Sequence, residues 1–318
     1  MKTLVVENIT KTFKISRKQQ RIEKTMESYK TAVNGLSFVA NEGEIYGLLG
    51  PNGAGKTTTL RIISTLIKQD KGDVIIEGLN TKTDTEKVRA KIGFLTSELK
   101  LEDFFTPNYL FDYFGKLHNI PDDVLENRKK ELFEKFGIEK FAEVKIADLS
   151  TGMKQKVSIV ISIVHDPDVI IFDEPTNGLD PEGIKDLREL LVKLATTEHM
   201  GILISSHNLA ELESFCTKVC IIKNGVIIES SEIDVVKSKC SDSYYIFDVD
   251  DSKKAQQLLG ENALLINPNE VKVLVERNNV PNLVKKLVDN NIKIYSVKKD
   301  NISLEDAFLK KTGGNVID

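Results

Sequence analysis

Short, uninterrupted apolar runs recur along the first 230 or so residues of the chain. Three of them, at Ile45–Leu49, Val169–Phe172 and Gly201–Ile204, lack the alternation of a strand with one wet face. Continuous apolar runs of this length are typical of parallel strands buried on both faces. Met1–Thr10 also reads as a strand. The pattern predicts an α/β domain over residues 1–235, built on a buried parallel sheet.

Two helical patterns lie between the first two of these runs, over Pro107–Asn119 and Pro121–Phe136. They predict a helical subdomain over about residues 97–165. Beyond about residue 235 strands and helices alternate in shorter pieces, which predicts an accessory C-terminal α+β domain over residues 236–318. Its expected strands are Tyr244–Val249, Ala263–Ile266, Val271–Glu276 and Lys293–Val297, and its expected helices are Ser252–Leu259 and Pro281–Asn290.

A glycine-rich loop follows the first apolar run and fits the Walker A pattern of Gly, four residues, Gly, Lys and Ser or Thr. Its glycines let successive backbone N–H groups face phosphate oxygens at the start of a helix. Lys56 is expected to reach the β and γ phosphates, and Thr57 to offer its hydroxyl to Mg²⁺. A glycine turn that binds nothing is the alternative. The expected nucleotide-binding residues here are Gly50, Pro51, Asn52, Gly53, Ala54, Gly55, Lys56, Thr57 and Thr58.

The second apolar run ends in two carboxylates, Asp173 and Glu174. A buried parallel strand that delivers acidic residues to its C-terminal edge is a Walker B pattern. We expect Asp173 to hold Mg²⁺ and Glu174 to accept a proton from, or to orient, the water that attacks the γ phosphate. Taken alone, such a pair is also compatible with a solvated turn, so the interpretation depends on the preceding Walker A loop.

The segment Leu149–Met153 resembles the LSGGQ signature of the ATP-binding cassette (ABC) family. The resemblance covers roughly residues 1–230 and implies a RecA-like core with an antiparallel β subdomain and a helical subdomain. It further implies a head-to-tail dimer in which Ser150 and Gly152 bind ATP held by the partner subunit, with Asp180 coupling the two sites. His207 would contact the γ phosphate, and Phe13 would stack on adenine or simply pack in its strand. Ser150 equally suits the N-cap of a helix.

Two departures from the family pattern stand out. Leu95, Thr96 and Ser97 occupy the place of the family's LPQ, so no Q-loop glutamine is assigned. Thr151 and Met153 replace Gly and Gln in the signature.

Composition narrows the possible partners. A formal charge of −4 argues against a nucleic-acid footprint, and the Arg17–Lys24 cluster is interleaved with Gln and Glu, as expected of a solvated loop.

No apolar stretch approaches the roughly 18 residues of a membrane helix, and no signal peptide is recognisable. Cys216, Cys220 and Cys240 are expected to be reduced thiols, and the spacing of the first two is compatible with one helix face. We therefore expect a cytoplasmic protein, and the family resemblance implies that it is peripheral on the inner face of the membrane through a separate permease.

The segment Ser303–Leu309 resembles the SLEDVFL ending of bacterial exporter ATPases, and residues 93–101 look similar to sodium-efflux ATPase subunits. The resemblance implies a separate multi-spanning permease and a second ABC subunit as partners. A soluble ABC ATPase acting on ribosomes and a regulatory nucleotide sensor are the alternatives. Six aromatic residues could form the helical core or line a groove for a permease helix: Phe104, Phe105, Tyr109, Phe111, Tyr113 and Phe114.

Overall fold

The computed structural model describes residues 2–23, 26–96, 101–238, 243–260 and 263–300. They divide into two compact units, and the boundary falls between Glu232 and Ile233. The predicted boundary was at residues 235 and 236. Ser97 and Glu98, Cys240, and the Ser303–Leu309 segment lie outside the described residues.

The first unit begins with an antiparallel sheet. Its strands are β1 (Lys2–Lys14), β2 (Tyr29–Asn41), β4 (Lys71–Ile76) and β5 (Leu79–Asn80), in the order β2-β1-β4-β5. The side chains of Leu4 and Val6 in β1 are buried against the central core. Helix α1 (Arg17–Glu23) follows β1, so the prediction of a loop there is wrong. Arg, Lys and Gln are good helix formers, and the Gln20 N–H donates to the Ser16 carbonyl oxygen at 2.9 Å.

The central sheet holds β3 (Ile45–Leu49), β6 (Ile92–Thr96), β7 (Val169–Asp173), β8 (Gly201–Ser206), β9 (Lys218–Lys223) and β10 (Val226–Glu232). Their order is β10-β9-β3-β8-β7-β6, with β10 antiparallel and the other five parallel. Every residue of β3, β7 and β8 is buried, which confirms the sequence pattern. The three strands lie side by side, so their C-terminal ends meet at one edge of the sheet, where ligands bind in parallel folds.

Helices pack around the central sheet: α2 (Lys56–Ile63), α3 (Thr85–Arg89), α6 (Thr151–Ser162), α7 (Pro181–Thr197) and α8 (Leu209–Phe215). The two predicted helices are present as α4 (Pro107–Leu117) and α5 (Asp122–Phe136). They cross closely, because a Cβ on Gly115 would lie 2.2 Å from the Leu125 side chain. Phe111 of α4 is fully buried and meets Phe133 of α5 edge to face.

The aromatic residues at the start of this region divide between core and surface. Phe111 belongs to the core, whereas Phe104, Tyr109 and Tyr113 keep 64%, 49% and 48% of their surface exposed. Phe105 stacks on Tyr109 with ring centroids 4.3 Å apart, and Tyr109 stacks on Tyr113 at 6.3 Å. The result is a row of rings along one face of α4.

The second unit begins with α9 (Ile233–Ser238) and continues as β11 (Ser243–Val249), α10 (Ser252–Leu259), β12 (Ala263–Asn267), β13 (Glu270–Val275), α11 (Val280–Asp289) and β14 (Ile294–Asp300). The sheet is antiparallel, in the order β12-β13-β11-β14. This is the βαββαβ arrangement of ferredoxin-like domains. Phe247, Val271 and Leu287 form its core. Each predicted element is present to within a few residues.

The two described cysteines are free and buried. Cys216 follows α8 and Cys220 lies within β9, so the expectation that they share a helix face is wrong. Burial raises the pKa of the Cys220 thiol to about 12, so this thiol stays protonated at neutral pH. Within the described ranges, no helix combines the length and the apolar character needed to cross a membrane.

Candidate functional site

The glycine-rich loop runs from the end of β3 to the start of α2 and needs glycine at two positions for steric reasons. A Cβ on Gly50 would lie 2.3 Å from the Ile222 carbonyl oxygen. Gly55 has φ 108°, and a Cβ there would lie 2.4 Å from the Ala32 carbonyl oxygen. Any other residue would displace neighbouring backbone. The loop therefore packs closely against β9, which contains Ile222, and against β2, which contains Ala32. Helix α2 begins within the loop at Lys56.

Lys56 is buried beneath this loop. Its Nζ donates to the Gly50 carbonyl oxygen at 2.6 Å and lies 3.6 Å from Oε1 of Glu174. Burial lowers the pKa of Lys56, and the adjacent Glu174 carboxylate opposes that effect by stabilising the charged amine. The amine thus joins the loop to the end of β7.

Asp173 and Thr57 bring oxygen atoms together at the same edge of the sheet. The Thr57 hydroxyl donates to Asp173 Oδ1 at 3.3 Å, and the Ser205 hydroxyl donates to the same oxygen at 2.6 Å. Asp173 is buried. A buried carboxylate beside a hydroxyl provides the hard oxygen ligands that Mg²⁺ prefers, with few protein groups and room for water or phosphate oxygens. The residues therefore fit the expected ion.

Glu174 adopts an unusual backbone conformation, with φ 54° in a residue that is not glycine. Its N–H donates to the carbonyl oxygen of Ser205 at 3.2 Å and contacts the Ser205 hydroxyl at the same distance. Its Oε2 lies 2.8 Å from Nδ1 of His207. Backbone strain of this kind persists only when neighbouring groups fix it, and it is common at functional sites.

A cleft of about 460 Å³ contains most of the predicted nucleotide-binding and catalytic residues. Its walls are Phe13, Pro51, Asn52, Gly53, Gly55, Lys56, Thr57, Thr58, Glu174 and His207, together with Lys30, Ala32 and Asn177. Gly50 and Ala54 of the loop do not line this cleft, and Asp173 lines an adjoining cavity. Phe13 keeps 40% of its surface exposed at this cleft, which leaves a ring face accessible.

The predicted signature residues line a different cavity. Ser150 caps α6 by accepting a hydrogen bond from the Met153 N–H at 3.3 Å, as its residue type suggests. Ser150 and Gly152 line a cavity of about 170 Å³ with Leu179 and Gly183. Asp180 caps α7 and accepts from the Gly183 N–H at 2.8 Å. These three predicted residues are absent from the walls of the nucleotide cleft within one subunit.

Three residues in this region were not identified from the sequence. Ser205 holds both Asp173 and Glu174, and the Gln155 side chain donates to the Pro175 carbonyl oxygen at 3.2 Å. Glu211 accepts from Thr176 and Ser206 at 2.6 and 3.1 Å. The only sequence signal was proximity: Ser205 and Ser206 directly precede His207.

Known proteins resemble this chain in sequence and in fold. The ABC transporter family model matches residues 33–177. The bacitracin transport ATP-binding protein of Bacillus licheniformis is 34% identical over 303 residues, covering 92% of this chain and 96% of that protein. The linearmycin resistance ATP-binding protein of Bacillus subtilis (strain 168) is 30% identical over 299 residues, covering 91% and 96%.

Among solved structures, a dimeric ATP-binding cassette in a post-hydrolysis state with ADP and Pi is similar, with a TM-score of 0.61 and 25% sequence identity. The match covers 72% of this chain and 98% of that one. Together these similarities confirm the predicted fold class of the first unit. The chain belongs to the ATP-binding subunits of ABC transporters, and it is an ATPase.

Proposed function

We propose that this chain binds Mg²⁺-ATP in the described cleft and uses its hydrolysis to energise export through a separate membrane permease. The observation that carries the proposal is the convergence of Lys56, Glu174 and His207 in that cleft. Glu174 lies 3.6 Å from the Lys56 amine and 2.8 Å from the His207 ring. This arrangement supports a role for Glu174 as base, for Lys56 as cation and for His207 as switch residue at one site.

The glycine-rich loop would hold the phosphates. Its backbone N–H groups and the first turn of α2 favour anions, and Lys56, Thr57 and Thr58 add side-chain donors at the same place. The exposed ring of Phe13 at the other side of the cleft would stack on adenine. Thr57 and Asp173 would hold Mg²⁺, which supplies positive charge against the phosphate oxygens when it is bound.

Glu174 would accept a proton from, or orient, the attacking water. Its carboxylate has one oxygen toward Lys56 and the other toward His207, so its orientation in the cleft is fixed from both sides. His207 would also contact the γ phosphate from the end of β8. The Lys56 amine would offset the negative charge that develops on the phosphoryl group.

The signature residues would act in a second subunit. Ser150 and Gly152 lie at a helix N-terminus, where free N–H groups attract phosphate, but that terminus lies outside the nucleotide cleft of its own chain. A head-to-tail dimer would place it against the partner's ATP. Asp180, at the start of α7, would couple the two sites across the same interface. ATP would then be part of the dimer contact.

The permease would dock on the helical region. The row formed by Phe105, Tyr109 and Tyr113 exposes stacked aromatic rings along α4, and such a surface suits the apolar side of a permease helix. We infer export because the similar proteins carry names for bacitracin transport and linearmycin resistance. The chain would then work on the cytoplasmic side of the membrane. Sodium is one candidate cargo.

Glu174→Gln tests the catalytic assignment, because it keeps the shape of the side chain but removes the base. We expect ATP turnover to fall about 100-fold or more, ATP binding to persist, and dimers to accumulate with ATP in light scattering. Glu189→Gln, an exposed residue of α7, is the matched control. Turnover at the original rate would show that Glu174 is not the catalytic carboxylate.

The same variant tests the partner. With ATP present, Glu174→Gln purified from gently solubilised membranes should carry a multi-spanning protein that mass spectrometry identifies. Recovery with ribosomes and without any membrane protein would favour the soluble mechanical alternative.

A further inference from the structure

Glu211, in the first turn of α8, lies outside the walls of the nucleotide cleft yet makes several short polar contacts. Its Oε2 accepts hydrogen bonds from the hydroxyls of Thr176 and Ser206, at 2.6 and 3.1 Å. Its Oε1 accepts from Nδ2 of Asn208 at 3.1 Å. One carboxylate therefore collects three side-chain donors from two different turns of the chain.

These two turns carry the reacting groups of the proposed site. Thr176 follows Glu174 by two residues, and Ser206 directly precedes His207. Glu174 and His207 contact each other at 2.8 Å inside the cleft. Besides the Glu174 N–H bonds to Ser205, two side-chain contacts join these turns: the Glu174–His207 contact within the cleft, and the contacts of Glu211 with Thr176 and Ser206.

The contacts of Glu211 are suited to fixing a position. Thr176 and Ser206 are 5% and 2% exposed, so their hydroxyls meet the carboxylate where water competes little. Hydrogen bonds from hydroxyls to an ionised carboxylate are short and about twice as strong as neutral ones. The Ser206 hydroxyl also accepts from the Asn208 N–H at 2.9 Å, which holds the second turn in shape.

The neighbouring backbone needs such support. Glu174 has φ 54°, a conformation that a residue other than glycine keeps only when its surroundings enforce it. Without the Thr176 contact, the turn after β7 would lose its link to the His207 turn on the side away from the cleft. A displacement of about 1 Å of a catalytic group can lower a rate by about 100-fold.

We propose that Glu211 is a positioning residue for ATP hydrolysis, which fixes the turn of Glu174 relative to the turn of His207. The proposal rests on the catalytic role proposed for Glu174. Glu211 itself contacts neither nucleotide nor water in the reaction. Its effect is on the geometry of the reacting pair, and therefore on kcat more than on ATP binding.

The test measures kcat, KM and ATP affinity of the full chain for Glu211→Ala, Glu211→Gln and the control Glu189→Ala. We expect Glu211→Ala to lower kcat about 10- to 100-fold while KM stays within about threefold. Glu211→Gln keeps an oxygen for Thr176 and Ser206, so it should recover most of that loss. The control, an exposed glutamate on α7, should match the original chain.

Thr176→Val provides a second measurement that does not depend on Glu211→Ala folding well. It removes the hydroxyl with little change of shape, so we expect a similar fall in kcat. The double variant should lose no more than Glu211→Ala alone, because both changes break one contact.

Three results would overturn the proposal: unchanged kcat in Glu211→Ala, kcat of Glu211→Gln as low as that of Glu211→Ala, or a joint loss of kcat, ATP affinity and melting temperature. Glu174→Gln separates this failure from that of the proposed function. If it stops turnover while Glu211→Ala does not, only the positioning role is wrong. If it leaves turnover intact, the catalytic assignment itself fails.

Discussion

The nucleotide cleft and the start of α6 differ in why they contain glycine. In the cleft, Gly50 and Gly55 are required by packing, since a Cβ on either would lie within 2.4 Å of a carbonyl oxygen. At the signature, a Cβ on Gly152 would meet no atom within 4 Å. Packing within the described part of the subunit therefore does not require glycine there, which is compatible with the proposed role of Gly152 facing a partner's ATP.

The same difference extends to the side chains. The cleft brings Glu174 into contact with both Lys56 and His207, whereas Ser150 caps its own helix. Under the proposed function, one subunit carries a catalytic half, formed by Lys56, Glu174 and His207, and a separate binding half, formed by Ser150 and Gly152. Changes in the first should abolish chemistry at the ATP held by the same subunit, and changes in the second should abolish it at the ATP held by the partner.

Lys56→Ala should have the largest effect. The substitution removes the amine that joins the loop to Glu174, and with it the cation proposed to bind the phosphates. We expect ATP hydrolysis to fall about 1,000-fold or more, with weakened nucleotide binding. A phosphate-release assay and a binding titration measure the two losses. Retained hydrolysis would contradict the placement of the catalytic half.

Gly152→Asp should separate stability from activity. A carboxylate in the first turn of α6 favours the helix by about 0.3–1 kcal/mol, and open space surrounds the position. The same charge would repel the partner's γ phosphate, so we expect hydrolysis to fall about 100-fold while ATP binding to the single subunit persists. Denaturant unfolding tests the predicted gain in stability, and ATPase assays on the same preparation test the predicted loss of hydrolysis. Unaltered hydrolysis would count against a trans role.

His165→Gln should leave turnover at pH 7.5 unchanged, because His165 lies away from both halves. Its Nε2 contacts the Ile92 carbonyl oxygen at 2.9 Å, and its ring stacks on His118 at 4.0 Å, with Arg128 and Asp166 nearby. Burial, with a smaller contribution from His118, lowers the pKa of His165 from 6.5 to about 4. The neutral ring is favoured in the folded state, so its contribution to stability is complete above pH 6.5 and is lost as the pH falls through 4.

We expect this residue to account for about 2–3 kcal/mol of the loss in unfolding free energy between pH 6.5 and 4. Urea titrations at both pH values measure this loss in the original chain and in His165→Gln. The difference between them isolates the contribution of His165, because both proteins contain the same carboxylates. Equal acid losses in the original chain and His165→Gln would contradict the assignment.

The sequence predicted contiguous features well. The loop from Gly50 to Thr58 and the Asp173–Glu174 pair are short motifs whose chemistry requires neighbouring residues, and buried strands leave continuous apolar runs. Parallel strand ends meet at one edge, so the convergence of the motifs also followed.

Contacts between distant residues were not predictable in this way. Thr176 and Glu211 are 35 residues apart, and no local pattern marks their hydrogen bond. Ser205 was overlooked because its residue type has many ordinary roles in a strand. The short helix at Arg17–Glu23 was missed because its polar, mixed-charge sequence has no apolar stripe to set it apart from a solvated loop.

Mixing two inactive variants tests the two-half account most directly. Glu174→Gln has an inactive catalytic half and an intact binding half, and Gly152→Asp has the reverse. In a dimer of one with the other, one ATP faces both intact halves. The two variants are mixed in equal amounts before ATP is added, so that half of the dimers contain one of each. Each mixed dimer has one working site of two, so the mixture should show roughly a quarter of the original ATPase activity. Activity no higher than the average of the two separate variants would contradict the account.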